Sequence, residues 1–242
     1  MQDRVAIVTG GSGGIGRAVS ERLAADGMSV LVAYSGNPDR AEDVVKAISQ
    51  AGGQAASAQA DVAEPEAVKS LFDQAEAQFG GVDVVVNTAG IMLLSPLAEL
   101  DLDDLDRMHR INIRGTFVVS QLALQRIRRG GALINFSTSV VKLALPTYSA
   151  YVASKAAVDG ITRILAQEVR GKNITVNAVA PGPTATPLFL DGKPQEVIDQ
   201  MAARPPLERL GEPKDIAEAV SFLAGPARWV NGQIIYVNGG IA

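Results

Sequence analysis

Residues 5–16 read VAIVTGGSGGIG, an apolar run that passes directly into a glycine-rich turn. The run at 5–8 predicts a strand buried on both faces of a parallel sheet. Apolar residues recur with helical spacing from 15 to 25, which predicts a helix that ends at Gly27. Glycines at such a turn let the backbone approach a pyrophosphate, and the helix N-terminus offers free N–H groups. The stretch predicts a dinucleotide-binding unit, with a tight turn lacking any ligand as the alternative.

The alternation of strand and helix continues along the chain. Further apolar runs predict strands at 30–33, 54–60, 82–86, 132–136, 175–179 and 234–237. Helical patterns lie between them at 38–49, 64–79, 105–124, 151–169 and 215–223. This spacing is typical of βαβ units with right-handed crossovers. We predict an α/β fold of the Rossmann type, with a doubly wound parallel sheet of about seven strands and helices on both faces. Residues 1–242 are expected to form one dinucleotide-binding catalytic domain.

Composition excludes several classes of protein. Of the 242 residues 47% are hydrophobic and 20% charged, which provides a large core and excludes wholesale disorder. The net charge of −4, without a basic block, argues against nucleic acid and membrane as partners. There is no cysteine and one histidine, His109, so thiolate chemistry and a multi-histidine metal site are excluded. Neither a signal peptide nor a membrane-length apolar run is found, and we expect a soluble, cytoplasmic protein.

Six motifs occur in a characteristic order. They are the turn at 9–16, Asn87-Thr88-Ala89-Gly90, Asn112, Tyr151-Val152-Ala153-Ser154-Lys155, Pro181-Gly182 and Asn238-Gly239-Gly240. Over its whole length the sequence resembles the short-chain dehydrogenase/reductase family. Within that family it is similar to carbonyl reductases related to 3-oxoacyl-carrier-protein and polyhydroxynaphthalene reductases. The resemblance implies an oxidoreductase that reversibly reduces a ketone to a secondary alcohol by hydride transfer from a nicotinamide.

Tyr151 and Lys155 are four residues apart on a predicted helix, so both side chains emerge on one face. A free tyrosine has a pKa near ~10, and a nearby ammonium lowers it. In the reductive direction Tyr151 would donate its proton to the carbonyl oxygen. Lys155 would also hold a ribose hydroxyl of the cofactor. Judged alone, such a Tyr/Lys pair is usually structural, and the other motifs make the catalytic interpretation the better one.

Two further catalytic positions follow from the resemblance. The backbone carbonyl of Asn112 would hold a water that resupplies protons to Lys155, whereas an Asn at a local helix kink is the structural alternative. A hydroxyl that orients the substrate is expected before Tyr151. Spacing without a gap selects Thr138, and a one-residue deletion in the loop selects Ser139. Because neighbours on an extended segment point to opposite sides, Thr138 is expected to face away from Ser137 and Ser139.

The resemblance also implies a set of cofactor-binding residues. They are Gly10, Ser12, Gly14, Ile15, Gly16, Tyr34, Ser35, Asn37, Asp61, Val62, Asn87, Ala89, Gly90, Tyr151, Lys155, Pro181, Gly182 and Thr184. Asn87 would tether adjacent strands, and Asp61 with Val62 would bracket the adenine. A helix cap at Asp61 and a plain loop residue at Thr184 are the alternatives.

The second predicted strand indicates which cofactor is used. A carboxylate at its end would bind the ribose 2′-hydroxyl of NAD, and residues 34–37 contain none. Ser35 and Asn37 could donate to a 2′-phosphate, with Arg40 close by. Gly13 argues the other way, because many NADP-dependent members carry a basic residue there, and Asp39 could approach the ribose. The balance favours NADP(H) over NAD(H).

Residues 181–206 interrupt the alternation with extra prolines, glycines and an apolar cluster at 188–190. A substrate lid within 183–206 is predicted. The expected partner is a small carbonyl or alcohol, and the chain is expected to form a homotetramer through helices 105–124 and 151–169, without a metal. An NAD-dependent sugar or polyol dehydrogenase and a non-catalytic dinucleotide sensor are the alternative functions.

Overall fold

Residues 4–242, which the computed structural model describes, contain a seven-stranded parallel sheet in the order β3-β2-β1-β4-β5-β6-β7. The strands are β1 Val5–Thr9, β2 Ser29–Tyr34, β3 Ala55–Gln59, β4 Val84–Asn87, β5 Ala132–Phe136, β6 Thr175–Pro181 and β7 Ile234–Val237. The predicted fold class and strand number are confirmed. The weak run at 54–60 forms β3, which pairs with β2 at the edge of the sheet.

The helices follow the strands in the predicted alternation. They are α1 Gly14–Ala25, α2 Pro38–Gln50, α3 Pro65–Phe79, α4 Leu102–Met108, α5 Gly115–Arg126, α6 Ser149–Glu168, α7 Pro187–Leu190, α8 Gln195–Ala202 and α9 Pro213–Ala224. The prediction of one helix over 105–124 was wrong in detail, because a π-helical turn at His109–Arg114 separates α4 from α5. The segment predicted to be a lid contains the short helices α7 and α8.

Alternate residues of each strand bury opposite faces of the sheet. Val5 and Ile7 pack in one apolar cluster with α3 and α5, whereas Ala6 and Val8 pack in the other with α1, α2 and α9. Both faces of β1 are therefore dry, as its continuous apolar run predicts.

The order of the strands reverses at β1, because β2 and β3 lie on one side of it and β4 to β7 on the other. In an open parallel sheet, ligands bind outside the carboxyl ends of the strands at such a reversal. β1 ends at Thr9, β4 at Asn87, β5 at Phe136 and β6 at Pro181, each directly before a predicted site motif. The topology thus brings four distant motifs to one edge of the sheet.

Candidate active site

A cavity of about 590 Å³ lies at this edge of the sheet. Its walls include most of the predicted site residues: Gly10, Gly14, Ile15, Gly16, Tyr34, Ser35, Asp61, Val62, Ala89, Gly90, Thr138, Ser139, Tyr151, Lys155, Pro181, Gly182 and Thr184. Four predicted residues, Ser12, Asn37, Asn87 and Asn112, do not line it.

The glycine-rich turn forms a cradle that side chains would fill. A Cβ at Gly16 would lie 2.2 Å from the Gly10 carbonyl oxygen, far inside van der Waals contact. Gly10 itself has a φ of 64°, in the left-handed region that favours glycine. The cradle opens directly onto the N-terminus of α1, where backbone N–H groups are available to an anion.

Asn87 and Asn37, two of the four residues outside the cavity, have different structural roles. Asn87 is 3% exposed and accepts a hydrogen bond from Thr9 Oγ1 at 2.7 Å, so it ties β4 to β1 as expected for a tether. Asn37 instead caps α2, accepting from the Asp39 backbone N at 2.8 Å. This cap occupies the amide oxygen and Asn37 does not line the cavity, so a contact from its amide nitrogen to the cofactor stays a prediction.

Asn112 lies in the π-helical turn and is 1% exposed. Its side chain exchanges hydrogen bonds of 2.9 Å with both backbone groups of Ile91 and donates to Ser154 Oγ at 3.0 Å. Its carbonyl oxygen accepts from Thr116 Oγ1 at 2.7 Å. Asn112 therefore joins the segment after β4 to α6, the helix that carries Tyr151.

Tyr151 and Lys155 lie in the first two turns of α6 and are 9% and 5% exposed. Lys155 Nζ donates to the Phe136 carbonyl oxygen at 2.8 Å, which fixes the ammonium at the end of β5. Burial lowers the pKa of Lys155 to about 8 and raises the pKa of Tyr151 to about 12. The expectation that Lys155 lowers the pKa of Tyr151 is thus wrong for this structure, because desolvation of the phenolate outweighs other contributions. The phenol stays protonated at neutral pH.

The three hydroxyls after β5 have different surroundings. Thr138 lies against the Tyr151 phenol, where its side chain favours the ionised form. Ser139 donates to the Ala180 carbonyl oxygen at 3.1 Å and accepts from Asn238 Nδ2 at 3.0 Å. β5 ends at Phe136 and a 3₁₀ turn starts at Ser139, so the three hydroxyls do not lie on one extended strand. The geometry places the Thr138 hydroxyl, and not that of Ser139, beside Tyr151.

Asp61 is held by two donors at the rim of the cavity. Its Oδ1 accepts from the Ala63 backbone N at 2.9 Å, and its Oδ2 accepts from Arg110 at 2.8 Å. Burial alone would raise the pKa of Asp61, but these two bonds outweigh it and hold that pKa below its usual value. The N-cap of α3 is Glu64, so Asp61 is not the helix cap that the sequence left open.

A basic side chain lies over the glycine-rich turn. The Arg40 guanidinium is 3.2 Å from the position of a Cβ built on Gly13. Both residues line the cavity next to Tyr34 and Ser35. A cation from α2 therefore lies beside position 13, where the sequence itself has a glycine.

With this geometry in place, comparison with known proteins is informative. A family profile described as enoyl-(acyl carrier protein) reductase matches residues 10–242. A short-chain type dehydrogenase/reductase from Picea abies is 45% identical, covering 98% of this chain and 92% of its own. The chain belongs to the short-chain dehydrogenase/reductase family. It is accordingly an oxidoreductase of that family.

Two further members of the short-chain dehydrogenase/reductase family bear on the cofactor. An NADPH-dependent aldehyde reductase-like chloroplastic protein from Arabidopsis thaliana is 43% identical, over 98% of this chain and 93% of its own. The crystal structure of a short-chain dehydrogenase from Burkholderia cenocepacia in complex with NADP is 38% identical, with a TM-score of 0.92, and covers 100% of this chain and 98% of its own.

Several cavity residues of this short-chain dehydrogenase/reductase were not found from the sequence. They are Ile111, Tyr148, Thr186, Met201 and Ile241. Tyr148 could have been found from the sequence, because it lies only three residues before Tyr151. In the structure the two rings meet edge to face, with centroids 6.4 Å apart. Ile241 carries no local signal, since only the path of the chain after β7 brings it to the cavity.

Residues 4–242 contain neither a metal-binding cluster nor a membrane-spanning helix. In this range, no group of three or more His, Asp and Glu side chains is arranged to hold a metal ion. The helices of the same range are also too short or too polar to span a bilayer.

Proposed function

We propose that this protein is an NADP(H)-dependent carbonyl reductase that converts a ketone to a secondary alcohol reversibly, with Tyr151 as proton donor. The observation that carries the proposal is the meeting of Tyr151, Thr138 and Lys155 in one cavity with the glycine cradle and Arg40. Tyr151 and Lys155 come from α6, Thr138 from the segment after β5, and Arg40 from α2, so the convergence of these groups is a product of the fold.

The residues present suit a dinucleotide with a 2′-phosphate. The cradle at Gly10 and Gly16 would hold the pyrophosphate, since any side chain there would collide with the backbone. Arg40 and Ser35 would hold the 2′-phosphate, and no carboxylate lies at the end of β2 to repel it. Asp61 and Val62 would bracket the adenine, and Thr184 would contact the nicotinamide amide. When bound, NADPH supplies the hydride.

The protein's own groups would supply the proton and orient the substrate. Tyr151, protonated at neutral pH, donates its proton to the substrate oxygen. Thr138 donates a hydrogen bond to the same oxygen and stabilises the charge that develops there. Lys155, fixed by the Phe136 carbonyl, places its ammonium beside the ribose site. A proton relay through water at Asn112 stays a prediction.

The outer part of the cavity is apolar and favours a hydrophobic or aromatic ketone. Its walls are Ile91, Met92, Leu143, Leu145, Tyr148, Leu188, Phe189, Met201 and Ile241. The residues of α7 and α8 supply three of these side chains, which supports a substrate lid within 183–206. A sugar would lose hydrogen bonds to water here without gaining replacements.

A panel of substrates followed by NADPH absorbance tests the function. We expect turnover of bulky aromatic ketones with NADPH, and little oxidation of glucose or polyols with NAD. Preferred oxidation of polyols with NAD would support a sugar dehydrogenase instead. Reduction confined to α,β-unsaturated thioesters would indicate enoyl reduction, and cofactor binding without turnover of any carbonyl would indicate a sensor.

Arg40→Ala is expected to weaken NADPH binding about tenfold or more while leaving NADH binding nearly unchanged, because it removes a charge-assisted contact to the 2′-phosphate. Fluorescence titration with both cofactors measures the ratio. Asp43→Asn, on the same helix and exposed, is the matched control.

The double variant Gly13→Arg with Arg40→Ala should recover NADPH preference, since it returns a cation to the same place. Equal affinity of the unaltered protein for NADH and NADPH would contradict this assignment.

Assembly as a homotetramer is expected through the outer face of α5 and α6. Phe117 and Ile164 are 55% and 60% exposed there and border an apolar groove of about 510 Å³. Trp229, fully exposed, marks a second surface near the C-terminal segment.

Light scattering at micromolar concentration should give four times the chain mass of 25.2 kDa. Ile164→Glu should reduce that mass, whereas Leu102→Glu, at an exposed site on α4, should not. A monomeric mass for the unaltered chain would refute the assembly.

A further inference from the structure

One face of α6 carries a buried carboxylate that the proposed reaction does not use. Tyr151, Lys155 and Asp159 follow each other at four-residue intervals, so their side chains form one column along the helix. Asp159 is 6% exposed and Lys155 is 5% exposed. Carboxylates are rarely this buried unless they are paired, so the position of Asp159 needs a physical reason.

The surroundings of Asp159 do not include a close partner that neutralises it. The Ser137 hydroxyl lies beside the carboxylate, yet in residues 4–242 neither Ser137 Oγ nor Asp159 Oδ1 has a hydrogen-bond partner of normal geometry. Lys155 and Asp159 are also not within the 4.0 Å of an ion pair in the described residues, because Lys155 Nζ is bound to the Phe136 carbonyl. The two buried charges therefore interact through space.

Other charged and titratable groups face Asp159 from the elements packed against it. Arg163 lies one turn further along α6, and its charge favours the ionised carboxylate. The charge of Asp159 also acts on Tyr236 of β7. Lys142 Nζ lies 4.1 Å from the centre of the Tyr236 ring. Arg163 and Lys142 are exposed, so solvent screens them, whereas Lys155 shares the dry interior with Asp159.

We propose that Asp159 is a positioning residue that keeps the Lys155 ammonium charged at the nicotinamide ribose site, and so extends the Tyr151–Lys155 pair into a column of three groups. This inference rests on the proposed function, in which Lys155 acts as a cation. Asp159 touches neither substrate nor cofactor in this role and acts only through Lys155.

The effects on the pKa values of Lys155 and Asp159 have the direction that this role requires, because each charge favours the charged form of the other group. Burial lowers the pKa of Lys155 to about 8, and the charge of Asp159 opposes that decrease. Burial raises the pKa of Asp159, while Ser137, Arg163 and Lys155 oppose the increase. Removing the opposing charge would lower the pKa of Lys155 further and reduce the fraction of charged ammonium at physiological pH.

The test titrates Lys155 directly in the full-length protein. Protein made with lysine labelled with carbon-13 at Cε is titrated by NMR, and the Lys155 signal is assigned by its loss in Lys155→Arg. In Asp159→Asn we expect the Lys155 midpoint to move down by about one pH unit. Asp159→Glu should restore most of the shift, and Glu66→Gln, which removes an exposed charge from α3, should leave the midpoint unchanged. An unchanged or higher midpoint in Asp159→Asn overturns the proposal.

Asp159→Ala keeps the test decisive if Asp159→Asn does not fold. It also removes the negative charge and buries no amide that would need hydrogen-bond partners, so the Lys155 midpoint should again move down by about one pH unit. An unmoved midpoint in this variant would also overturn the proposal.

Catalysis provides a second readout that a purely structural role would not alter. The pH at which NADPH affinity and reductive kcat/KM decline should fall together with the Lys155 midpoint. A uniform loss of activity with an unshifted pH profile would make Asp159 merely structural. Because the lysine titration needs neither cofactor nor turnover, failure of the reductase assignment remains distinguishable from failure of the Asp159 coupling.

Discussion

Tyr151→Phe is expected to lower kcat for ketone reduction by about 100-fold or more, because the proton donor is lost while the ring remains. Tyr151 is 9% exposed, so a water molecule has little access to replace its proton. NADPH affinity should stay within about threefold of the unaltered protein, since the phenyl ring preserves the packing of α6. Steady-state kinetics with NADPH and a fluorescence binding titration measure both quantities.

Tyr148→Phe is the matched control, since Tyr148 lines the same cavity three residues earlier. Its loss of a hydroxyl should leave most of the turnover intact. If Tyr151→Phe keeps more than about a tenth of the activity, another group donates the proton and the assignment is wrong.

The alkaline limb of the reductive pH profile is expected near the pKa of Lys155. The Tyr151 pKa of about 12 keeps the donor protonated throughout the usual assay range. The pKa of Lys155 is lowered to about 8, so its ammonium is present below that pH and is lost above it. Reductive kcat/KM should therefore decline as the pH rises through about 8 and not near the tyrosine value.

Thr138→Ala is expected to lower turnover by about 100-fold, which corresponds to about 3 kcal/mol of transition-state stabilisation. The Thr138 side chain faces the Tyr151 phenol, which places its hydroxyl where a carbonyl oxygen would meet the donated proton. NADPH affinity should change little, because the proposed role of Thr138 is a contact to the substrate oxygen and not to the phosphates. Thr138→Ser keeps the hydroxyl and should restore most of the turnover.

Ser139→Ala separates the two candidate hydroxyls. Ser139 already donates to Ala180 and accepts from Asn238, so its loss should lower thermal stability more than turnover. A large loss of turnover in Ser139→Ala, with Thr138→Ala nearly unaffected, would reverse the assignment. If neither variant slows turnover by more than about threefold, Tyr151 orients the carbonyl alone.

The fold class could be predicted because its signals are local. The run at 5–8 is apolar at every position, which only a strand covered on both faces requires, and the glycines after it mark the turn into α1. The prediction did not include the π-helical turn at His109–Arg114. Residues 105–124 keep a helical pattern throughout, and the one signal of an irregular turn was Asn112, whose structural alternative was a local helix kink. Asn112 lies in the wider turn and bonds to Ile91 and Ser154.

The candidate site could be predicted in part. Residues within one motif were found, since the spacing of Tyr151 and Lys155 on one helix fixes their common face. The cap that Asn37 provides for α2 was not predicted, because the sequence does not show whether an Asn before a helix faces a ligand or caps the helix. Met201 and Ile241 were missed because distant segments meet only in the folded chain, whereas Tyr148 lies three residues from Tyr151 and could have been found.

The sequence by itself determined the parallel sheet, the glycine cradle and the Tyr151–Lys155 pair, because periodicity and covalent spacing encode each of them. The tertiary structure alone decided that Thr138 faces Tyr151, that Arg40 covers Gly13, and that burial raises the pKa of Tyr151. These three outcomes depend on the end of β5, on the packing of α2 against the first turn, and on the exclusion of water around α6. Each is set by groups far apart in the chain, and desolvation in particular exists only once the core has closed around the phenol.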